Sequence, residues 1–156
     1  MKKLICVAML LSAGCNARTS TTPTAIETVS TGSLVSVSST SVQAQPVTSF
    51  ICPTTPPFVA TVPIVVTAAD VNMFLTGVSF QFTDQNGVRM PPVTLPAPIP
   101  TAQFGSALVQ ARSSRTFPVD VPFGCGTGRV GVLALTVRTA DATGLARVQG
   151  VNVNVF

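Results

Sequence analysis

The 156-residue chain carries nine basic and five acidic residues, a formal net charge of +4, and only 9% of its residues are charged while 46% are apolar. It has no His, Trp or Tyr, a single Glu (Glu27), and two Lys that both fall in the first three positions, so His-based catalysis, a zinc site and an aromatic sugar platform all lack their usual residues. Arg89, Arg112, Arg115, Arg129, Arg138 and Arg147 are scattered without a basic run, which removes the electrostatic footprint of a nucleic-acid binder.

The chain opens with Lys2-Lys3, the apolar run Leu4-Ile5-Cys6-Val7-Ala8-Met9-Leu10-Leu11 and the small residues Ser12-Ala13-Gly14, in the order of a secretory signal. An apolar run this short cannot span a bilayer, which needs ~20 residues, so no permanent membrane helix is expected. Leu11-Ser12-Ala13-Gly14-Cys15 resembles the lipobox of bacterial lipoproteins, with Ser12 where the commonest pattern has Leu. That resemblance implies cleavage before Cys15, a diacylglyceryl group on its thiol, acylation of the new N-terminus, and the membrane as a partner through this lipid. Two or three acyl chains make such an anchor firm, because each buried methylene contributes about 0.8 kcal/mol and one chain alone binds marginally. The open alternative is an ordinary signal peptide with a chance cysteine. Asn16 stands where Asp marks inner-membrane retention in Gram-negative lipoproteins, so for a Gram-negative source the resemblance points to the outer membrane, and for a Gram-positive one it implies only a lipid-anchored place in the cell envelope. Loss of Lys2 and Lys3 with the signal leaves seven basic against five acidic residues.

From Asn16 to Ser49 the chain contains eight Thr and eight Ser, two charges and no aromatic residue. Such a segment buries too little apolar surface to offset its ordering entropy, and it reads as a disordered tether with a reach of about 30–35 Å. Within it, Leu34-Val35-Ser36-Val37 is able to pair as a strand. At Phe50 the composition changes: all nine Phe and eleven of thirteen Pro lie from here on. The expected organisation is therefore residues 1–14 signal peptide, 15–49 lipidated Cys and linker, and 50–156 one globular domain.

Strand signals recur through that domain. Phe58–Val66 is an apolar run in which Pro63 argues for an edge strand or a break. Ala68–Leu75 has room for one helical turn. Val78, Phe80 and Phe82 alternate with polar residues, and Asp84-Gln85-Asn86-Gly87 reads as a turn leading to a returning strand over Val88–Leu95, interrupted by Pro91-Pro92. Ala107–Ala111 and Thr116–Val121 follow, the latter with Phe117, Val119 and Val121 on one face. Arg129–Thr139 and Ala146–Phe156 form the closing hairpin, with Val130, Val132 and Ala134 set against Val148, Val151, Val153 and Val155. About seven strands and no sustained helical period predict an all-β, antiparallel immunoglobulin-like sandwich. The closing hairpin, ending Gly150-Val151-Asn152-Val153-Asn154-Val155, resembles the last two strands of bacterial immunoglobulin-like and fibronectin type III-like domains. A jelly roll or a small barrel is the alternative.

Cys6 leaves with the signal and Cys15 takes the lipid, so Cys52 and Cys125 remain and one disulfide is expected between them, two free buried thiols being the alternative. Gly124-Cys125-Gly126-Thr127-Gly128 lacks the Lys-Ser/Thr ending of a phosphate loop and reads as a turn between strands. Asp84 with Asn86, and Asp70 with Asn72, offer oxygen ligands for calcium but too few of them, and turn bonding is the simpler role. No catalytic residue, metal ligand or cofactor site is identifiable. The expected function is non-catalytic: protein binding, adhesion or envelope assembly with an unidentified envelope or surface protein. The alternatives are a purely structural spacer, and a carbohydrate-binding module or hydrolase. Recognition then falls to backbone edges and Pro-rich loops. The rigid segment Pro91–Pro100, through Val93, Leu95 and Ile99, together with Phe104, is the expected partner-binding loop. An irregular connection that merely blocks edge pairing would read the same way.

Overall fold

Period-two alternation sets the architecture. In β4 (Phe58–Thr67), Ala60, Val62, Ile64 and Val66 are buried while their neighbours face outward, and β8 (Ser114–Phe123) buries Phe117, Val119, Val121 and Phe123 in the same way. β5 (Met73–Asp84), β9 (Gly131–Asp141) and β10 (Ala146–Val155) present the facing layer, including Phe80, Phe82, Leu133, Leu135, Val137, Val153 and Val155. Each fully buried side chain of this size contributes about 1.5–3 kcal/mol. The two apolar faces close on one another as a sandwich. This computed structural model describes residues 34–95 and 105–156, among which there is no helix.

In the first sheet β4 is flanked by β8 on one side and by β1 (Leu34–Val37) and β3 (Gln45–Pro46) on the other. The second runs β2 (Ser41–Val42), β10, β9, β5 and β6 (Val93–Leu95), with β7 (Leu108–Val109) also on β5. Every pairing is antiparallel except β2 with β10. β4–β8 facing β10–β9–β5 is the strand arrangement of an immunoglobulin-like sandwich. The chain changes sheet between β1 and β2, and the Gln149 side chain helps close that flank by accepting the Val35 N–H at 2.7 Å.

Several expectations need correction. The sandwich is not confined to residues from Phe50 on: β1, β2 and β3 lie inside the supposed tether, and Val35, Val42 and Ala44 are core residues. Averaging composition over the tether hid a local alternation in which Ser and Thr take the solvent face and Val the inner one. The remainder of the expected tether, 15–33, lies outside the described residues, as do Cys15 and the signal segment. The expected helical turn is absent, since Met73–Leu75 belong to β5. A bulge at Thr76 then shifts the register, so Leu75 and Val78 both point inward.

Pro63 sits in a continuous ten-residue strand with neighbours on both sides. Its carbonyl accepts from Ser38 N at 3.1 Å, so its missing donor faces the gap between β1 and β3 rather than the β8 ladder. Its partner across the ladder is Pro118, which with Pro122 therefore turns its donor-less side to the edge of β8 on which, among the described residues, no strand pairs. A strand cannot easily add to an edge guarded in this way.

The phase expected for β9 is reversed. Leu133, Leu135, Val137 and Thr139 face the core, whereas Val132 is 39% exposed and Ala134 is exposed. Both phases of this strand are apolar, so the larger Leu side chains fill the inter-sheet space and Arg138 commits the even-numbered face to solvent. In β10, Val148 is likewise exposed while Val153 and Val155 are buried and Val151 packs against the core.

Candidate functional site

The disulfide expected from cysteine counting is formed: Cys52 and Cys125 are joined, with Cα atoms 5.7 Å apart and a sequence separation of 73. Cys52 lies in the connection from β3 to β4 and Cys125 in the turn from β8 to β9. Gly124 and Gly126 both have positive φ, which that turn requires. A Cβ on Gly124 would stand 2.5 Å from Phe58 Cδ2, so the residue also permits a close approach of turn and strand.

Beside the bridge lies a cleft of about 450 Å³. One wall is Pro53, Thr54 and Pro56 from the β3–β4 connection, the other is Met90, Pro91 and Val93 leading into β6, and Pro122 and Cys125 complete the lining. No lining side chain is charged. Phe50 and Ile51, 57% and 73% exposed, extend the apolar surface along the same connection. Beneath this end of the sandwich Phe123 bridges the sheets, its ring centroid 4.4 Å from that of Phe82 and 5.8 Å from that of Phe58. A second hollow of about 360 Å³ around Ser106, Gln110, Ser113 and Arg115 is polar and shallow by comparison, and it offers no comparable apolar surface.

Asp84 fixes the remaining loops at this end. Its carboxylate is buried and accepts N–H bonds from Asn86 and Val88 through Oδ1 and from Gly128 through Oδ2, each at 2.9 Å. The Gly128 bond leads in holding the carboxyl below the usual carboxylate range; burial opposes it, and the Val88 and Asn86 bonds reinforce it. With both oxygens engaged by backbone, Asp84 acts as the turn residue and as a tie between the β5–β6 and β8–β9 loops. At the opposite end Asp70 pairs with Arg112 at 3.0 Å on an exposed surface, and Asn72 Oδ1 accepts from Ala111 N.

The expected partner-binding loop is only partly where the sequence put it. Val93 lines the cleft, but both Val93 and Leu95 are β6 residues packed against the core and paired with β5, not the free tip of a loop. Ile99 and Phe104 lie outside the described residues. Sequence reasoning passed over Phe50, Ile51, Pro53, Pro56, Met90 and Pro122. The available signal was the density of proline around the first bridge cysteine, Cys52-Pro53-Thr54-Thr55-Pro56-Pro57.

No protein-family model and no curated protein matches this chain. Among solved structures it is similar to the Northeast Structural Genomics Consortium target SoR45, with a TM-score of 0.54 at 10% identity over 80% of this chain and 87% of that one. It is similar also to a Bordetella pertussis structural-genomics target provisionally named ApaA, with a TM-score of 0.50 at 12% identity over 79% of this chain and 93% of the other. At such identities the likeness concerns the fold alone.

Proposed function

We propose that this protein is a lipid-anchored extracytoplasmic binding module that engages a protein partner through the apolar cleft and the adjoining Phe50–Ile51 surface. The carrying observation is that cleft, uncharged and walled by proline rings held beside a disulfide. Binding sites are concave, mostly apolar and largely preformed, and fixed proline φ angles reduce the entropy lost on association. The position of the site supports the reading. Leu34, where the described chain enters, pairs with Thr67 at one end of β4, whereas Phe58 and the bridge stand at the other, about 30 Å away at ~3.3 Å per residue. A chain anchored through Cys15 thus carries its binding surface on the end remote from the entry strand. The disulfide accords with an oxidising compartment outside the cytoplasm.

The test is capture of partners from solubilised envelopes by the full chain and by a Phe50→Ser/Ile51→Ser variant. Both residues are exposed, so the variant keeps its melting temperature, and it is expected to lose a stoichiometric partner that the wild type retains. Equal capture by the two proteins overturns the assignment of the surface. In parallel, Cys15→Ala should abolish incorporation of labelled palmitate; continued labelling refutes the lipid anchor.

A further inference from the structure

We propose that the Cys52–Cys125 disulfide is a redox latch that holds one wall of the cleft in place, so that the cleft exists in the oxidised protein and is lost on reduction. This rests on the reading of the cleft as a binding surface and adds its regulation. The ground for it is how residues 48–56, between β3 and β4, are attached. Their hydrogen bonds are internal: Ile51 N to Thr55 O at 2.9 Å, Thr55 N to Ile51 O at 2.7 Å, and Thr54 Oγ1 to Ile51 O at 2.9 Å. At the neck, Val47 N donates to Pro57 O at 2.8 Å. Among the described residues no hydrogen bond joins 48–56 to another part of the domain, and Phe50 and Ile51 point into solvent instead of anchoring the loop by packing. The bridge to Cys125 is its tie.

The other partner of the bridge is held independently. Gly128 N is bound to Asp84, Gly124 N donates to Met90 Sδ at 3.2 Å, and Gly124 packs against Phe58. Cutting the bridge therefore frees the Cys52 side and leaves the Cys125 side in position. Pro53, Thr54 and Pro56 move away with the freed loop, while Met90, Pro91, Val93 and Pro122 stay on the sheets. An isolated hairpin-like turn with so few bonds does not hold its shape in water. A partner arriving at the reduced protein must order that loop itself, at the expense of affinity.

The chemistry is thiol–disulfide exchange with a dithiol. A thiolate of the dithiol attacks Sγ of Cys52, an exposed residue, the S–S bond breaks, and Cys125 leaves as a thiolate. The second thiol of the reductant then attacks its own sulfur in the mixed disulfide and expels Cys52. Two electrons and two protons pass to the two cysteines, and the reductant ends as a disulfide. A disulfide oxidant runs the sequence backward. A chain still in a reducing compartment would thus carry no finished cleft, which would form once the chain is outside.

The experiment is amide hydrogen exchange read by peptide mass on the full chain, oxidised and after dithiothreitol, with the Cys52→Ser/Cys125→Ser variant alongside. Peptides covering 47–57 should lose their protection in both reduced forms. The amides that Asp84 holds, Asn86, Val88 and Gly128, and those of β4, β5, β8 and β9 should stay protected, losing no more than the fall in global stability accounts for. Unchanged protection over 47–57 overturns the latch, because the loop then holds itself. Complete loss of protection through the strands, matching that over 47–57, also overturns it, because the bridge is then what keeps the whole sandwich folded. Where a partner is captured, equal capture by the oxidised and reduced forms counts against control of the cleft. Capture by neither form counts against the binding role, and the exchange pattern still decides the latch.

Discussion

Removing the bridge by Cys52→Ser/Cys125→Ser tests how much of the stability of this small sandwich lies in one covalent link. The two cysteines are 73 residues apart, and for a loop of that length the loss of closure entropy from the unfolded chain amounts to about 4 kcal/mol. Little is added by packing, since Cys52 is exposed and Cys125 is only half-buried, so neither Ser hydroxyl is trapped and no large cavity opens. The freed loop 48–56 returns some entropy to the native state, which makes ~4 kcal/mol an upper figure. Against the 5–15 kcal/mol typical of a domain this is a large fraction without being the whole, so the variant is expected to stay folded in buffer. Urea titration followed by far-ultraviolet circular dichroism should give a lower midpoint and a stability loss of about 2–4 kcal/mol. A loss below about 1 kcal/mol would show that the closure-entropy reasoning does not apply to this chain.

Phe123→Ala removes the ring that contacts both Phe82 and Phe58 and should cost about 3–5 kcal/mol by denaturant titration, whereas Phe50→Ala on the exposed loop should cost less than about 0.5 kcal/mol. Gly131→Ala places a Cβ onto the Thr83 carbonyl oxygen and 2.7 Å from Asp84 Cα, so loss of soluble folded protein, or destabilisation beyond about 3 kcal/mol, is expected, and a neutral result contradicts the close β5–β9 approach. The Asp84 carboxyl titrates lower in the folded chain than in the unfolded one, so its stabilising effect is complete above the ordinary carboxylate range and is lost as pH falls through the depressed folded value. Asp84→Asn should flatten the acid limb of a stability-versus-pH curve, and an unchanged limb refutes the role given to its N–H bonds. Val93→Ser/Leu95→Ser should lower the melting temperature measurably, because these side chains pack on the core; an unaltered melting curve would return them to the status of loop residues.

The long strands were legible because their two phases differ in character. In β8, Phe117, Val119 and Val121 alternate with Thr116, Pro118 and Asp120, so the inner face is unambiguous. In β9 both phases are apolar, and a reading that scores hydrophobicity without volume chooses Val132 and Ala134 over Leu133 and Leu135. Arg138, in phase with the former, was the residue that decides it. Of the short strands, β1 falls on Leu34–Val37, the segment of the tether read as able to pair, while its permanence and the whole of β2 were hidden for a different reason. Their stability comes from pairing with β4 and β10, partners distant in sequence, and their Ser/Thr-rich composition matches that of a linker. Propensity is a local quantity and could not report a tertiary contact of that kind.

The candidate site shows the same division between what is counted and what is placed. Counting paired Cys52 with Cys125, since once Cys6 and Cys15 are set aside for the expected signal and lipid, two cysteines allow a single intramolecular bridge. Nothing in the sequence brings Pro53 and Pro56 opposite Pro91 and Val93, because that juxtaposition depends on β4 and β5 lying in different sheets and on the bridge drawing the β3–β4 connection toward the β8–β9 turn. The proline pattern acquires its meaning only in three dimensions. Pro118 and Pro122 turn their missing donors to the side of β8 on which no described strand pairs, so a partner cannot easily extend that sheet by backbone pairing. Pro122, at the same time edge guard and cleft lining, is where the two structural roles of proline meet.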